Sequence, residues 1–237
     1  MKIFIAGKGN IGTALSSFLA RKNIFFTVLD FGWEETKPTE GVLFLALPDD
    51  SAINAIENYY TEVPDNLKII YFAGGRPVEK KGVFLFHPYA SISKETNLEE
   101  IYFSLWKKDE SVEILLKRLG FKVVSFNHIP TTGYHTSAVF AGNFSQFLLL
   151  TGKALLLKEG FCEADAEKFL YQLLSTSLEN VFQNSLKGIT GPAARNDSET
   201  EKKEIEFLQN NCPADFSELY EKFSGMIKKA VKNDDLF

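Results

Sequence analysis

Apolar segments alternate with amphipathic ones along the first half of the chain. Most of the apolar segments are rich in β-branched and aromatic residues and stop at glycine, proline or aspartate; they cover residues 2–6, 25–29, 41–47, 67–72, 82–86, 102–105 and 121–126. Continuous apolar runs of this length are typical of strands that are buried on both faces of a parallel sheet. Helical spacing of apolar residues lies between several of them. The pattern predicts an α/β fold, a Rossmann-type doubly wound parallel sheet.

The pattern changes after residue 126, where helical spacing replaces the alternation. One long apolar segment covers residues 134–158, and further helices are predicted over 163–186, from the capping box Ser198–Glu201 onward, and over 216–231. We therefore predict an α/β domain over residues 1–127 and an all-helical domain over 128–237.

The helix over residues 134–158 carries few charged residues, and Lys153 is the first after Tyr134. A helix this apolar must be buried on most of its sides, which a small helical domain can hardly achieve alone. We expect a homodimer that shares the C-terminal helices.

Composition excludes several classes of partner. The net charge is −5 and no long basic run occurs, so a nucleic-acid partner is not expected. Two cysteines without a CxxC spacing argue against a disulfide framework and a metal site. We find no signal peptide and no run of roughly 20 apolar residues, so we expect a cytoplasmic protein without a membrane span.

A glycine-rich loop follows the first predicted strand and opens the first predicted helix. Its sequence is Gly7-Lys8-Gly9-Asn10-Ile11-Gly12, which fits the pattern G-x-G-x-x-G. In dinucleotide-binding domains the first glycine allows a tight turn, the second lets the backbone approach a diphosphate, and the third lets the helix pack closely on the strand. The helix N-terminus would offer unpaired N–H groups to the phosphates.

Asp30 ends the second predicted strand, 18 residues after Gly12. A carboxylate there can accept hydrogen bonds from the adenosine ribose of NAD, and it would repel the 2′-phosphate of NADP. No arginine occurs between residues 21 and 76. NAD is therefore favoured over NADP, although Lys37 could turn toward a phosphate, and Asp30 could also be an ordinary turn residue.

Ligands of open α/β sheets bind outside the carboxyl ends of the strands. We expect Leu47, Pro48 and Asp49 to line the path of the ribose and nicotinamide, and Gly74 to allow the close approach of a ring. His87 ends the fifth predicted strand, where it could exchange the proton that accompanies hydride transfer. Alternatively, it could hydrogen-bond a neighbouring carbonyl group.

The helical part offers three further candidates. His135 and Asn143 lie eight residues apart, with Val139 between them, and therefore along one side of a helix. They could contact a substrate, or His135 could cap the helix or bond across a dimer. Arg195 follows a Gly-Pro turn and could bind a carboxylate or phosphate, or could instead pair with Asp197 and fix the loop.

Five motifs occur in one order along the chain. They are the glycine loop, Leu47-Pro48-Asp49-Asp50, His87-Pro88, Tyr134-His135 with Asn143, and Thr190–Asp197. This set resembles a family of Rossmann-like oxidoreductases whose helical C-terminal domain has no assigned function, akin to pyrroline-5-carboxylate reductases and deazaflavin-dependent NADP oxidoreductases. The resemblance implies an NAD(P) domain, a helical dimerisation domain and an active site between them.

The chain departs from that family in two places. Asn196 stands where the family usually has glycine, and Thr131-Thr132-Gly133 stands where a basic residue commonly precedes the Tyr-His pair. Our hypothesis is an NAD(P)-dependent oxidoreductase for a small carbonyl or imine substrate in the interdomain cleft, with His87, His135, Asn143 and Arg195 as the catalytic set. The alternative is a dinucleotide-binding sensor or regulatory protein without catalytic activity.

Overall fold

The computed structural model describes residues 1–29 and 32–236, so the predicted ribose contact Asp30 lies outside the described residues. The described chain divides into two compact units, Met1–Phe147 and Leu148–Phe237. This division falls within a long helix, whereas the sequence pattern changes near residue 127. The boundary between residues 127 and 128 stays a prediction.

Seven strands form one sheet in the described part of the first unit. They are β1 Ile3–Ala6, β2 Thr27–Leu29, β3 Gly41–Leu45, β4 Leu67–Tyr71, β5 Val83–Pro88, β6 Tyr102–Trp106 and β7 Lys122–Phe126, in the spatial order β2-β1-β3-β4-β5-β6-β7. The pairings among β1 to β5 are all parallel, which confirms the predicted fold class. β6 pairs antiparallel with β5, because residues 89–101 return the chain without a crossover helix, and β7 runs parallel to β6.

Helices cover both faces of this sheet. The first unit contains α1 Asn10–Arg21, α2 Asp49–Asn54 with a π-helical continuation Ala55–Tyr59, α3 Glu110–Leu119 and α4 Thr132–Ala138, which continues as the π-helical segment Val139–Phe144. Neighbouring residues of β3 point to opposite sides, so Phe44 lies in one apolar cluster and Leu43 and Leu45 lie in the other. The apolar runs are therefore buried on both faces, as the sequence predicted.

The second unit is helical throughout its secondary structure. Its elements are most of α5 Ser145–Lys158, then α6 Glu163–Asn184, α7 Pro192–Arg195, α8 Ser198–Asn211 and α9 Ala214–Asn233. The predicted capping box at Ser198 is wrong, because the side chain of Asp197 caps α8 by accepting a hydrogen bond from the Thr200 N–H at 3.1 Å. Ser198 is already the first helical residue.

The continuous helix Thr132–Lys158 is long and apolar enough to cross a membrane by length and composition. The expectation that the chain contains no such segment is therefore wrong. That expectation asked for an unbroken apolar run, and it discounted a helix in which small polar residues are mixed with apolar ones. None of the residues of this helix is buried within the described chain.

Candidate active site

The glycine loop places two of its glycines where no side chain fits. Gly7 has a φ of 113°, and a Cβ on it would collide with the Ala46 carbonyl group. A Cβ on Gly12 would collide with the carbonyl oxygen of Gly7. These two glycines therefore bring β1, β3 and α1 together. Gly9 differs, because it has an ordinary extended conformation and no atom lies within 4 Å of the position of a Cβ.

Gly9 is the N-cap residue of α1. The first hydrogen bond of the helix runs from the Thr13 N–H to the Gly9 carbonyl oxygen at 2.9 Å. The N–H groups of Asn10, Ile11 and Gly12 precede that bond, and no side chain caps the helix. Free N–H groups and the helix dipole make such an N-terminus suitable for an anion such as a phosphate.

The predicted cofactor contacts after β3 lie beside this loop. A side-chain carbon of Leu47 lies 3.3 Å from the position that a Cβ on Gly7 would take. Pro48 is the N-cap of α2, and Asp49 is its first helical residue. These three residues and the glycine loop therefore share the carboxyl edge of the parallel strands, as predicted.

Two adjacent glycines after β4 make room for two histidine rings. The ring of His87 packs directly on Gly74, where a Cβ would collide with it. A Cβ on Gly75 would lie 3.1 Å from a carbon of the His135 ring. The sequence predicted that a ring approaches Gly74, and in this structure that ring belongs to His87. A cofactor contact at Gly74 stays a prediction.

A cavity of about 420 Å³ lies within the first unit, against the end of β5 and the helix that begins at Thr132. Its walls are formed by His87, Pro88, Tyr89, Ala90, Ser91, His135, Ala138, Ala141, Gly142, Asn143 and Gln146. Three of the four predicted catalytic residues, His87, His135 and Asn143, therefore line one cavity of the size that small ligands occupy. None of the lining residues is a lysine, arginine or carboxylate.

The helix that forms one wall of this cavity is not α-helical throughout. Residues 139–144 form a π-helical segment, which shifts the residues after it around the helix axis. Asn143 and Gln146 face the cavity, whereas Val139 does not line it. The predicted row of His135, Val139 and Asn143 is thus altered by a local widening of the helix, a feature that often accompanies functional sites.

The imidazole of His87 begins a chain of four hydrogen-bonding side chains. Its Nδ1 lies 2.9 Å from the hydroxyl oxygen of Tyr134, which lies 2.7 Å from the Oγ of Ser104. The indole N–H of Trp106 donates to the same Oγ at 2.8 Å. Ser104 also donates toward the backbone carbonyl of His87, at 3.2 Å. We call these four residues the His87 hydrogen-bond chain.

Burial governs the protonation of this chain. Burial, followed by the charge of the nearby His135, lowers the pKa of His87 to about 4. Burial also raises the pKa of the Tyr134 hydroxyl. Both groups are therefore neutral at neutral pH, and His87 and Tyr134 act there through hydrogen bonds rather than charge.

Sequence reasoning did not assign Tyr134, Ser104 or Gln146 to the site. Ser104 carried a usable signal, since it is the polar residue within an apolar strand and buried polar groups need partners. The sequence marks Tyr134 only as one of a pair with His135. Gln146 carried a signal of spacing, since it lies three helical turns after His135 and therefore on the same side of a helix.

Arg195 lies in the second unit, at the end of α7, and its side chain is exposed. The following Asn196 has φ 56° and ψ 39°, a left-handed conformation that glycine and asparagine adopt most readily. Asparagine in place of the family's glycine is therefore compatible with the same turn. Hydrogen bonds from Thr200, and to a lesser extent the charge of Arg195, lower the pKa of Asp197.

Solved structures with the same fold extend over nearly the whole chain. A proposed NADP oxidoreductase from Bacteroides fragilis is 20% identical, with a TM-score of 0.78 over 96% of this chain and 98% of that one. An imine reductase from Myxococcus stipitatus in complex with NADP⁺ is 13% identical, with a TM-score of 0.70 over 98% and 95%. A Plasmodium falciparum pyrroline carboxylate reductase with NADP bound is 14% identical, with a TM-score of 0.57 over 96% and 98%.

At these identities the similarity establishes the fold. No curated protein sequence is significantly similar to this chain. The fold and the cavity define a Rossmann-type α/β protein with a helical C-terminal region. The family described as a domain of unknown function, DUF2520, matches residues 106–227, slightly more than half of the chain, and the chain belongs to that family.

Proposed function

We propose that this protein is an NAD(P)-dependent oxidoreductase that acts on a small carbonyl or imine compound. The observation that carries the proposal is the uncapped N-terminus of α1, with open space over Gly9, at the same edge of the sheet as the cavity. The contacts follow the order of the strands, since Gly7 touches the end of β3 and the residues after β4 touch His87 at the end of β5. The solved NADP complexes of the same fold support the proposal.

The residues at this edge fit a nicotinamide dinucleotide. The N–H groups of residues 10–12 would hold its diphosphate, and Leu47, Pro48 and Asp49 would line its path toward the cavity. When bound, the cofactor supplies or accepts a hydride. Asp30 would contact the ribose, and it is the reason why NAD is favoured over NADP.

The residues that line the cavity would bind and orient the substrate. His87 is neutral and offers one ring nitrogen beside Gly74, where it would contact the reacting group of a substrate. The amides of Asn143 and Gln146 can donate and accept hydrogen bonds at the helix wall and would orient the substrate. Arg195 would bind an acidic group of the substrate if the second unit contributes to the site.

The test is a fluorescence titration of the full-length chain with NADH and NADPH. We expect both the wild type and Asp30→Ala to remain folded, with NADH bound more tightly than NADPH by the wild type only. Hydride transfer to a panel of ketones and imines should be lost in His87→Ala while NADH binding persists. Absence of binding of both cofactors would refute the proposal, and a preference for NADPH in the wild type would refute the assignment of NAD.

One observation favours the alternative function, a dinucleotide-binding sensor or regulatory protein. The cavity wall contains no lysine or arginine, and Thr131-Thr132-Gly133 replaces the basic residue common in the family. Binding of NADH without turnover of any acid, ketone or imine in the panel would support the sensor. Turnover that depends on His87 would exclude it.

We also propose that the protein is a homodimer through its C-terminal helices. Of the 22 residues of α6, only Ala166 is buried. One side of α6 exposes a stripe of large apolar side chains, namely Tyr171, Leu174, Leu178 and Phe182. Helices depend on tertiary packing for most of their stability, so α6 requires a partner surface.

A second copy of the chain is the occupant that we propose. Full burial of one large apolar side chain contributes about 1.5–3 kcal/mol, so a two-fold contact of these stripes can outweigh an association cost of about 4–15 kcal/mol. Analytical ultracentrifugation should show a dimer, and Leu178→Glu should shift it to monomer, with Glu179→Gln as the control on the same helix. A monomeric wild type would refute the dimer, and a monomer that sediments with lipid vesicles would show that a membrane covers the stripe instead.

A further inference from the structure

The number of hydroxyl protons in the His87 hydrogen-bond chain determines which group donates and which accepts at each contact. Ser104 has one hydroxyl proton and three neighbours, namely the indole N–H of Trp106, the carbonyl oxygen of His87 and the hydroxyl of Tyr134. The indole N–H can only donate, and the carbonyl oxygen can only accept. The direction of the remaining contact follows from these two.

The arrangement that satisfies all contacts is unique. If the Ser104 hydroxyl donates its hydrogen bond to the His87 carbonyl, the Ser104 oxygen must accept hydrogen bonds from Trp106 and from Tyr134. The Tyr134 hydroxyl then donates to Ser104, so the Tyr134 oxygen can only accept at the contact with Nδ1 of His87. That contact therefore requires a proton on Nδ1. The opposite direction would leave the carbonyl without the proton of Ser104.

We infer that Tyr134 and Ser104 are positioning residues that hold neutral His87 in its Nδ1-protonated tautomer, so that Nε2 is a hydrogen-bond acceptor for a ligand. Nε2 lies beside Gly74 and makes no hydrogen bond to any described residue. The cavity would thus favour a substrate that donates a hydrogen bond at its reacting atom, a hydroxyl group or a protonated imine, over a bare carbonyl. This inference rests on the same cavity as the proposed function.

The antiparallel pairing of β5 with β6 makes this chain possible. In the register of the two strands, His87 lies directly opposite Ser104. Trp106, two residues further along β6, projects from the same face of the strand as Ser104. Tyr134, near the start of α4, packs against two other members of the chain. Its ring centroid lies 5.5 Å from that of His87 and 4.9 Å from that of Trp106.

The tautomer can be read without cofactor or turnover. The chain has three histidines, His87, His128 and His135, so ¹⁵N-histidine labelling with long-range ¹H–¹⁵N correlation spectra can resolve each ring. Variants that each replace one histidine assign the signals. At neutral pH we expect a protonated Nδ1 and an unprotonated Nε2 for His87 in the wild type.

Two variants should move the proton of His87 from Nδ1 to Nε2, and a third should leave it on Nδ1. In Ser104→Ala, Tyr134 loses its acceptor and is free to donate to Nδ1, so the proton of His87 should move to Nε2. Tyr134→Phe removes the acceptor of Nδ1 and should have the same effect. Tyr89→Phe is the matched control, because Tyr89 also lines the cavity but its hydroxyl bonds Ser137 at 2.6 Å instead of His87.

A protonated Nε2 in the wild type would overturn the inference, as would an Nδ1 proton that persists in both variants. Unchanged signals of His128 in each variant would confirm that the fold is intact. Because the spectra need no ligand, a failure here is distinct from a failure of the proposed function, which would appear as an absence of cofactor binding.

Discussion

Gly9 is the position where the roles of folding and cofactor binding can be separated. Its Cβ position is open, and its φ of −72° and ψ of −166° suit any residue. Gly9→Ala should therefore add a methyl group without a clash inside the protein. That methyl group would occupy the space in front of the N–H groups of residues 10–12, where we place the diphosphate.

The two effects of Gly9→Ala on stability nearly cancel. Replacing glycine by alanine reduces the entropy of the unfolded chain and stabilises by about 0.4–1 kcal/mol. Alanine is a poorer N-cap than glycine, which costs roughly 0.5 kcal/mol. The free energy of unfolding should thus change by less than about 1 kcal/mol. Loss of one hydrogen bond to a charged phosphate costs about 1.5–3 kcal/mol, so the Kd for NADH should rise about tenfold or more.

Gly12→Ala provides the contrasting control. Its Cβ would collide with the Gly7 carbonyl oxygen, so the backbone must shift at a cost of about 1–3 kcal/mol. Tm should fall by about 2–12 °C, whereas Gly9→Ala should melt within a few degrees of the wild type. Fluorescence titration and thermal melts of the three proteins are sufficient. Wild-type affinity for NADH in a folded Gly9→Ala would refute the placement of the diphosphate.

Three further predictions concern buried polar groups. The pKa of His87 falls from 6.5 to about 4 on folding, so between these pH values only the unfolded chain binds this proton. The free energy of unfolding, measured by urea denaturation, should therefore fall by up to about 3 kcal/mol as the pH is lowered through this range, and by less in His87→Asn. Gly74→Ala should displace the His87 ring, and an NMR titration should then show its pKa closer to 6.5. Lys228→Ala should leave the buried Glu201 carboxylate without its ion pair and lower the free energy of unfolding by about 1–3 kcal/mol in urea titrations, whereas Lys229→Ala, on the exposed side of α9, should not.

The positions of the strands could be predicted because each apolar run is a local feature of the sequence. Apolar runs such as residues 67–72 end at glycine or proline, and the observed β4 ends one residue earlier, at Tyr71. The glycine loop is predicted from its spacing together with its place between a strand and a helix, and in the structure Gly7 and Gly12 leave no room for a side chain. His87 was found because residues at the ends of parallel strands meet at one edge.

The rest of the site depends on contacts that spacing does not specify. Gln146 lies three helical turns after His135, but only the structure shows that this side of the helix lines a cavity instead of a packed interior. The apolar residues of α6 are visible in the sequence, but their exposure is defined only by the structure. Neither feature can be derived from one segment, because each is defined by what packs, or does not pack, against it.

The reversal of the chain between β5 and β6 links the order of the strands to the contacts of His87. A parallel β6 would require a crossover helix and would bring a different residue opposite His87. The short return over residues 89–101 instead sets Ser104 across from His87, and it places Tyr89 and Ser91 in the wall of the cavity. Among the described strands, the one antiparallel pairing therefore supplies the hydroxyl group that orders the His87 hydrogen-bond chain. A Rossmann sheet and a glycine loop account for binding a dinucleotide, whereas the chemistry that we propose depends on this antiparallel pair.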